Sequence, residues 1–335
     1  MKKWFAANSF VLNILLIVLA AALFPSAGSS GGFLPVRSLK LAGVFLIFFN
    51  QGVLLPGEEL RRGFLELKLH SLIQTTTYLL FPLFVGMMLW LSAPFFSQPD
   101  LRAGFLYLAF LPTTVSSAVA LTSVAHGNVS GALFNCTLSS VIGVFLVPLL
   151  CVFFLGQGGA ETQMDVLPIL RNVSVTLLLP LGLGQALRSL LKNHFGAHKR
   201  AIRNFNNGVI LFIIWTAFCE SFLRNVWDRV SPAELALCAA GTAVLLALSS
   251  LWSWGASGAL HLSTPSRITA LFCGSQKTIA MGLPLSAMIF TGPVPELSLL
   301  VIPLMIYHPL QLILAGWLMP RLQSLSSPPS SESQP

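Results

Sequence analysis

The sequence predicts an all-α polytopic membrane protein with ten transmembrane helices. Only 9% of the 335 residues are charged and 55% are hydrophobic, whereas a soluble domain carries about 25% charged residues. The mean hydropathy is +0.79. Turn-forming and charged residues divide the apolar sequence into segments long enough to cross a hydrocarbon core about 30 Å thick. These observations favour a chain whose main partner is the lipid bilayer.

Hydropathy and turn residues place the ten spans along the chain. They are predicted at 5–25, 37–55, 68–92, 101–125, 129–155, 164–190, 202–223, 233–258, 265–290 and 293–319. The basic start and apolar run of the first span resemble a signal peptide, but the membrane-embedded chain that follows favours an uncleaved span. Residues 324–335 are Ser- and Pro-rich and are predicted to form a disordered tail.

The distribution of Lys and Arg predicts the orientation. An even number of spans places both termini on one side of the membrane. That side collects twelve basic residues, against five on the opposite side: Lys2, Lys3, Arg61, Arg62, Lys68, Arg188, Lys192, Lys199, Arg200, Arg203, Arg267 and Arg321. The positive-inside rule then predicts cytoplasmic termini in a cytoplasmic (inner) membrane protein. Topology thus accounts for the net charge of +8, and no nucleic-acid partner is expected. No oligomeric state is predicted.

Lys277 is the charged residue that the topology does not explain. Thr264 can cap a helix and Pro265 suits its first position, so a helix is predicted to begin there. Lys277 follows thirteen residues later, which is roughly 20 Å at about 1.5 Å per residue. A Lys at this depth costs roughly 2.5–3.5 kcal/mol on insertion scales. Because Gly and Pro residues accompany it, the stretch is predicted to be an interrupted helix at a midplane binding site.

The two halves of the chain have matching interruptions. We predict a first five-helix repeat at 1–158 and an inverted second repeat at 159–323. The fourth span of the first half contains a Pro and several hydroxyl residues at 112–118, and the fourth span of the second half contains Lys277. Polar, breaker-containing segments at corresponding positions of two halves are typical of transporters.

Polar residues inside the spans are the candidate substrate- or ion-binding residues. Hydroxyls after a break can coordinate a ligand, although Thr and Ser also bond to carbonyls one turn back. His308 could titrate near neutrality or only hydrogen-bond a carbonyl. The candidates are Gln74, Thr77, Ser116, Ser117, Asn135, Thr137, Ser275, Gln276, Lys277, Thr278 and His308. Paired intramembrane Asp residues and metal-ligand His clusters are absent from the sequence, so no catalytic residue is predicted.

Five segments carry a family resemblance: residues 4–25, 47–52 (IFFNQG), 69–70 (LH), 111–119 (LPTTVSSAV) and 272–284 (FCGSQKTIAMGLP). Together they resemble the bile acid:sodium symporter family, solute carrier family 10, and most of all its divergent seventh member and bacterial relatives. The resemblance implies two inverted five-helix repeats arranged as a panel domain of spans 1, 2, 6 and 7 and a core domain of spans 3–5 and 8–10. It also implies that the discontinuous helices 4 and 9 cross at the midplane.

The resemblance implies sodium ligands as well, but the chain departs from them. Gln276 matches the family's span-nine Gln, Ser117 its span-four hydroxyl, and Gln74 or Thr77 its span-three ligand. The possible sodium ligands are therefore Ser117, Asn135 and Gln276. Sodium-coupled members carry a Glu four residues before that Gln and an Asn after it, where this chain has Phe272 and Lys277.

The two departures predict that two-sodium coupling is lost. Together they remove a negative charge and add a positive one, and repulsion of sodium at close range costs several kcal/mol in a low dielectric. Lys277 is predicted either to replace a cation, bonding to carbonyls and to Ser117 or Asn135, or to be an exposed counter-charge for a substrate. The predicted function is secondary transport of a small organic anion by alternating access, without a cofactor and with sodium doubtful. The alternative is a membrane regulator of calcium homeostasis.

Overall fold

The computed structural model describes residues 2–29, 34–54, 66–155, 174–290 and 296–326. Within these ranges the chain consists of helices and turns and contains no β-strand. The predicted boundary between repeats, at 158 and 159, lies outside the described residues, as do the start of the sixth predicted span and residues 327–335. Residues 324–326, which were assigned to the disordered tail, instead continue the last helix.

The helices follow the predicted spans closely. They are α1 Lys2–Leu23, α2 Val36–Leu54, α3 Leu67–Leu91, α4 Pro99–Phe110, α5 Val115–Val124, α6 Val129–Leu155, α7 Leu179–Ala186, α8 Arg188–Ala197, α9 Lys199–Leu223, α10 Pro232–Ala259, α11 Thr264–Ser275, α12 Ile279–Ile289, α13 Leu297–Leu300 and α14 Ile302–Ser326.

Six of the described helices are long and apolar enough to cross a membrane by themselves. A seventh candidate span is the pair α4 and α5, which is bent by 57° at its break. Shorter apolar helices occur at Leu12–Leu23 and Val175–Ala186. The described residues are therefore all-helical, and the apolar helices are those of a multi-pass membrane protein.

The helices pack in two groups. In the first, α2 packs against α7 and α9, and α9 packs against α1. In the second, α3 to α6 pack with α10, α11 and α14. The tightest approach in the first group is between Gly52 on α2 and Gly184 on α7, where each glycine faces backbone of the other helix. A Cβ atom at Gly184 would lie 2.2 Å from the Phe49 carbonyl oxygen, so only glycine allows this contact.

The polar stretches interrupt both predicted helices. The first break, between α4 and α5, covers residues 111–114, with Leu111 and Thr114 in extended conformation. The second, between α11 and α12, covers residues 276–278, with Gln276 and Thr278 extended.

Two local details of the second interruption differ from the prediction. The hydroxyl of Ser263, not that of Thr264, caps α11 by accepting from the Ser266 N–H, because Thr264 is already the first residue of the helix. Gly282 and Pro284 lie inside α12 rather than at the break. Pro284 is the sixth residue of α12, so its missing N–H removes one hydrogen bond inside the helix without ending it.

Candidate binding site at the two helix breaks

The two breaks touch through their backbones. The Thr278 N–H donates to the Pro112 carbonyl oxygen at 3.1 Å. The Thr278 hydroxyl accepts from the Met281 N–H and thereby caps α12. Because four non-helical residues of one break lie against three of the other, exposed carbonyls and N–H groups are concentrated at this contact. It is the place where an ionisable side chain can be solvated by backbone.

Lys277 occupies that place. Its side chain is 0% exposed, and Nζ donates to three carbonyl oxygens: Thr77 at 3.1 Å, Ala109 at 3.0 Å and Leu111 at 2.8 Å. The ammonium also lies 4.2 Å from the ring centroid of Phe81, a favourable cation–π distance. Among the described residues no carboxylate pairs with it. We call this arrangement the carbonyl cage.

The Thr77 carbonyl is free because of Pro82. Residues Thr76–Leu80 form one π-helical turn in α3, and the Phe81 N–H donates to Thr76 O, the acceptor five residues back. The next donor in that pattern belongs to residue 82, and Pro82 has no N–H. Lys277 thus satisfies a carbonyl that the helix itself cannot.

The other two carbonyls end α4. In a continuous helix the Thr113 N–H would bond to Ala109 O, but it donates to the Ser139 hydroxyl at 3.2 Å. The carbonyl end of a helix also carries a partial negative charge of about half a unit. A cation at the C-terminus of α4 is therefore stabilised by both hydrogen bonds and the helix dipole.

Helix α14 holds the Lys277 backbone. The Gln311 side chain accepts from the Lys277 N–H at 2.8 Å and donates to the Lys277 carbonyl at 3.1 Å. His308 lies on the same face of α14, with Nδ1 2.9 Å from Gln311 Nε2. The Tyr307 hydroxyl donates to the Ser275 carbonyl at 2.6 Å. These contacts fix the direction in which the Lys277 side chain leaves the break.

Ser117 and Gln276 join the breaks by their side chains. The Ser117 hydroxyl donates to Gln276 Oε1 at 2.9 Å. Gln276 is 2% exposed, and its Nε2 is a buried donor without a partner among the described residues. Ser250 has a buried hydroxyl in the same condition. Both line a crevice of about 10 Å³, which is near the smallest space that holds one water.

Gln74 and Asn135 form a separate cluster. Gln74 Nε2 donates to the Asn135 backbone carbonyl at 3.1 Å and to its Oδ1 at 3.3 Å. Asn135 Nδ2 donates to Gly131 O at 2.8 Å and lies 2.9 Å from His70 Nδ1. The Gln74 Oε1 atom is buried and has no partner within the described ranges. Asn135 is thus held within the α3–α6 contact.

Comparison with known proteins identifies the family. Residues 8–324 match the SBF-like CPA transporter family. The chain belongs to this family. It is 33% identical to YfeH of Escherichia coli (strain K12) over 94% of this chain and 93% of that one. It is 31% identical to Sodium/bile acid cotransporter 7 of Danio rerio, over 97% and 95% of the two chains, and 30% identical to the Rattus norvegicus protein of that name, over 96% and 93%.

Membership of the SBF-like CPA transporter family makes the chain a bile-acid-symporter-like membrane transporter, and not an enzyme. The family match confirms the resemblance that the five sequence segments indicated. Nearly the whole length of each relative is matched, so the two breaks and the cage all belong to the shared region.

In this SBF-like transporter Phe272 lies in an apolar cluster. The ring is 2% exposed and belongs to the same buried cluster as Leu69, Ile73, Cys136 and Cys273. Leu69 and Ile73 come from α3 and Cys136 from α6, which are two of the elements expected to supply sodium ligands. A carboxylate at position 272 would be buried there without a counter-charge.

Two expectations about Lys277 are corrected. The cage consists of carbonyls, as expected, but Ser117 and Asn135 are not its partners because each has a different one. An exposed Lys277 is also wrong for this structure, since the side chain is completely buried. Desolvation of the ammonium is compensated by the three carbonyls, which would otherwise lack donors.

The remaining candidates lie around the breaks without sharing one site. Ser116 is exposed on α5, whereas Thr137 is buried within α6. The Ser275 and Thr77 hydroxyls donate to carbonyls one turn back, at Leu271 and Ile73. The hydroxyls of these two residues thus bond within their own helices, whereas their backbone carbonyls accept hydrogen bonds from Tyr307 and Lys277.

Sequence reasoning missed Phe81, Tyr307 and Gln311. Gln311 was overlooked because it lies in an uninterrupted helix, outside both breaks. Its signal was available: an amide side chain in the middle of an apolar span is costly unless a buried polar group faces it. Phe81 carried no signal of its own, because one Phe among 25 does not reveal which cation it faces.

Proposed function

We propose that this protein is a secondary transporter of a small organic anion, that it works by alternating access, and that Lys277 replaces a coupling cation. The observation that carries the proposal is the carbonyl cage. The ammonium donates to three carbonyl oxygens and faces an aromatic ring, and these are groups that also surround a bound cation. It is covalently attached, so it cannot leave during a transport cycle.

The proposed architecture is ten spans in two inverted five-helix repeats, at 1–158 and 159–323. The breaks at 111–114 and 276–278 support it, because they occupy corresponding places in the two halves and touch each other. The packing of α1, α2, α7 and α9 supports a panel domain, and that of α3 to α6 with α10, α11 and α14 supports a core domain. Alternating access is then movement of one group against the other.

We propose that two-sodium coupling is lost because the side chains present do not supply a set of sodium ligands. Phe272 replaces the expected carboxylate by an apolar ring, and Lys277 places a positive charge beside the same segment. The Gln74–Asn135 cluster satisfies most of its own amide groups instead of presenting converging oxygens. These residues do not fit two sodium ions, so we assign sodium no step in the cycle.

We propose that the organic anion binds at Ser117 and Gln276 in the state of the cycle that widens the crevice at Gln276, which here has room for about one water. Gln276 Nε2 is a buried hydrogen-bond donor to which no described residue offers an acceptor, which suits a carboxylate, sulfonate or phosphate oxygen. The half-buried Ser117 orients the Gln276 amide by donating to its oxygen, so that the nitrogen is left for the ligand. Lys277 stabilises the crossing next to this donor rather than contacting the substrate.

The positive-inside rule supports cytoplasmic termini in the cytoplasmic membrane. Addition of a membrane-impermeant, thiol-reactive reagent to intact cells tests this orientation, with one cysteine placed in the His126–Asn128 turn and another at Asn225. Labelling at Asn225 and protection at the turn are expected, because the predicted topology puts the Asn225 connection outside and the His126–Asn128 turn, after four spans, in the cytoplasm. Labelling of the turn with protection of Asn225 contradicts the orientation.

Uptake into proteoliposomes tests the function. Purified protein is first screened for organic anions that raise its melting temperature, since a ligand of the folded state stabilises it by mass action. Anions that do so are then offered to proteoliposomes with sodium or potassium at equal ionic strength. Saturable uptake that is independent of sodium is expected, with Gln276→Leu raising KM and Gln323→Leu, near the end of α14, leaving it unchanged.

Two results would overturn the proposal. Uptake that depends strongly on sodium, and equally so after Lys277→Ala, contradicts the replacement of a cation by Lys277. A failure of every stabilising anion to be taken up contradicts transport and leaves the calcium-regulator alternative.

A further inference from the structure

A long apolar groove runs along the outside of α10 and α14 and adjoins the crevice at Gln276, since Ser250 and Leu271 line both. Its volume is about 670 Å³, and Leu271 of α11 contributes to its lining. It follows α10 from Ala243 to Trp254 and α14 from Leu310 to Leu325. The α14 section extends roughly 22 Å at about 1.5 Å per residue, which is enough for an acyl chain of one leaflet, about half of a 30 Å hydrocarbon core.

Two Arg–Trp pairs mark one end of the groove. Trp317 and Arg321 both line it, and the Arg321 guanidinium lies 4.3 Å from the Trp317 ring centroid. Trp254 lines the opposite wall, and the Arg267 guanidinium lies 4.3 Å from its ring centroid. Arg267 is in the first turn of α11, directly after α10 ends, and Arg321 is in the last turns of α14. Both cations are therefore at the end of the groove where α10 and α14 terminate.

No carboxylate of the described residues pairs with the cations at this end. The ion pairs found within the described ranges involve neither Arg267 nor Arg321. Arg267 Nε is moreover a buried donor without a hydrogen-bond acceptor in that part of the chain. Trp residues are enriched at the level of lipid headgroups, and basic pockets between transmembrane helices bind anionic headgroups.

We propose that this groove binds an anionic phospholipid, with an acyl chain along α10 and α14 and the phosphate between Arg267 and Arg321. The apolar length selects a lipid over a free phosphate, and the guanidinium groups without a described carboxylate select an anionic lipid over a zwitterionic one. The bound lipid connects α10, α11 and α14, and so bears on the helix that precedes the second break. The proposal does not depend on which solute is transported.

Thermal stabilisation of the full chain in detergent tests the charge requirement. Long-chain phosphatidylglycerol is titrated in parallel with phosphatidylcholine of the same chains and with glycerol phosphate. Phosphatidylglycerol is expected to stabilise the wild type most, and the double substitution Arg267→Gln and Arg321→Gln to weaken its apparent affinity roughly 30-fold, at about fivefold per cation. Arg200→Gln, which removes an exposed Arg at the start of α9, is the matched control and leaves the affinity unchanged.

A second pair of variants keeps both arginines and tests the acyl-chain requirement. Ala247→Trp fills the groove and is expected to weaken phosphatidylglycerol binding, whereas Val244→Trp, at an exposed residue of the same helix that does not line it, is not. Equal stabilisation by the two lipids, an equal effect of glycerol phosphate, or wild-type binding by Ala247→Trp overturns the proposal. Displacement of the lipid by a transported anion overturns it as well, because the groove is then a substrate site.

Discussion

The Lys277 ammonium donates at 3.1 Å to the Thr77 carbonyl, a group that Pro82 leaves without a main-chain donor. Two features that are unfavourable separately, a charge in the membrane and a helix with a missing hydrogen bond, thus stabilise each other. The Ala109 and Leu111 carbonyls extend the same principle to the end of α4. The cage therefore ties α3, α4 and the second break together through one side chain.

Replacement of Lys277 by Met is expected to destabilise the protein. Met retains an unbranched side chain but leaves three buried carbonyls without donors, and each such group costs about 1–3 kcal/mol. Because removal of the buried charge offsets part of this cost, we expect a loss of about 3 kcal/mol in the free energy of unfolding. Chemical unfolding in detergent micelles measures it.

Lys199→Met is the control for this prediction. Lys199 is exposed at the start of α9, so its replacement should change the stability by less than about 0.5 kcal/mol. A Lys277→Met protein as stable as the wild type would show that the cage is not a stabilising arrangement.

Replacement of Pro82 by Ala is expected to reduce the effect of Lys277→Met. The substitution supplies a main-chain N–H that can bond to Thr77 O, so one carbonyl of the cage no longer requires the ammonium. In the Pro82→Ala background Lys277→Met should therefore cost about 1 kcal/mol less. A double-mutant cycle measures this coupling. The equivalent cycle with Pro148→Ala, a substitution inside α6, should show no coupling to Lys277→Met. Equal coupling energies in the two cycles would refute the explanation for Pro82.

The paired substitution Phe272→Glu and Lys277→Asn is expected to create a response to sodium. It restores at both positions the residue types that the family resemblance implies for sodium-coupled members, and it reverses the change of two charge units. Sodium, compared with potassium at equal ionic strength, should raise the melting temperature of the double variant but not that of the wild type or of Phe272→Glu alone, where Lys277 still repels the ion. A sodium-specific shift of similar size in the wild type would contradict the proposed replacement.

The predictable part of this molecule lies in its hydropathy and its helix breakers. The segments around Pro112 and Lys277 were predicted to be interrupted, and they are. The exact bounds were not predictable, because Ser263 and Thr264 are both good caps and only packing selects between them. Gly282 and Pro284 suggested a break, but the break begins at Gln276 and both residues lie inside α12.

The partners of the cage were less predictable than its centre. Its expected depth in the membrane made Lys277 conspicuous, but sequence comparison directed attention to side chains such as Ser117 and Asn135. The groups that bind the ammonium are backbone carbonyls. Every residue has one, so the residue types do not show which carbonyls take part. Only Pro82, five residues after Thr77, indicated in the sequence which carbonyl would be free.

The contact between α2 and α7 provides a test that is independent of the cage. Gly184→Ala places a Cβ atom 2.2 Å from the Phe49 carbonyl oxygen, and because that atom is backbone, the helices must separate. We expect a loss of about 1–3 kcal/mol in the free energy of unfolding. Gly182→Ala, two residues earlier on the same helix, has open space around the new Cβ and should be neutral or stabilising, since Ala favours a helix over Gly by about 1 kcal/mol. Unfolding of the two variants side by side in detergent measures the difference, and equal stabilities would mean that α2 and α7 do not pack at this distance.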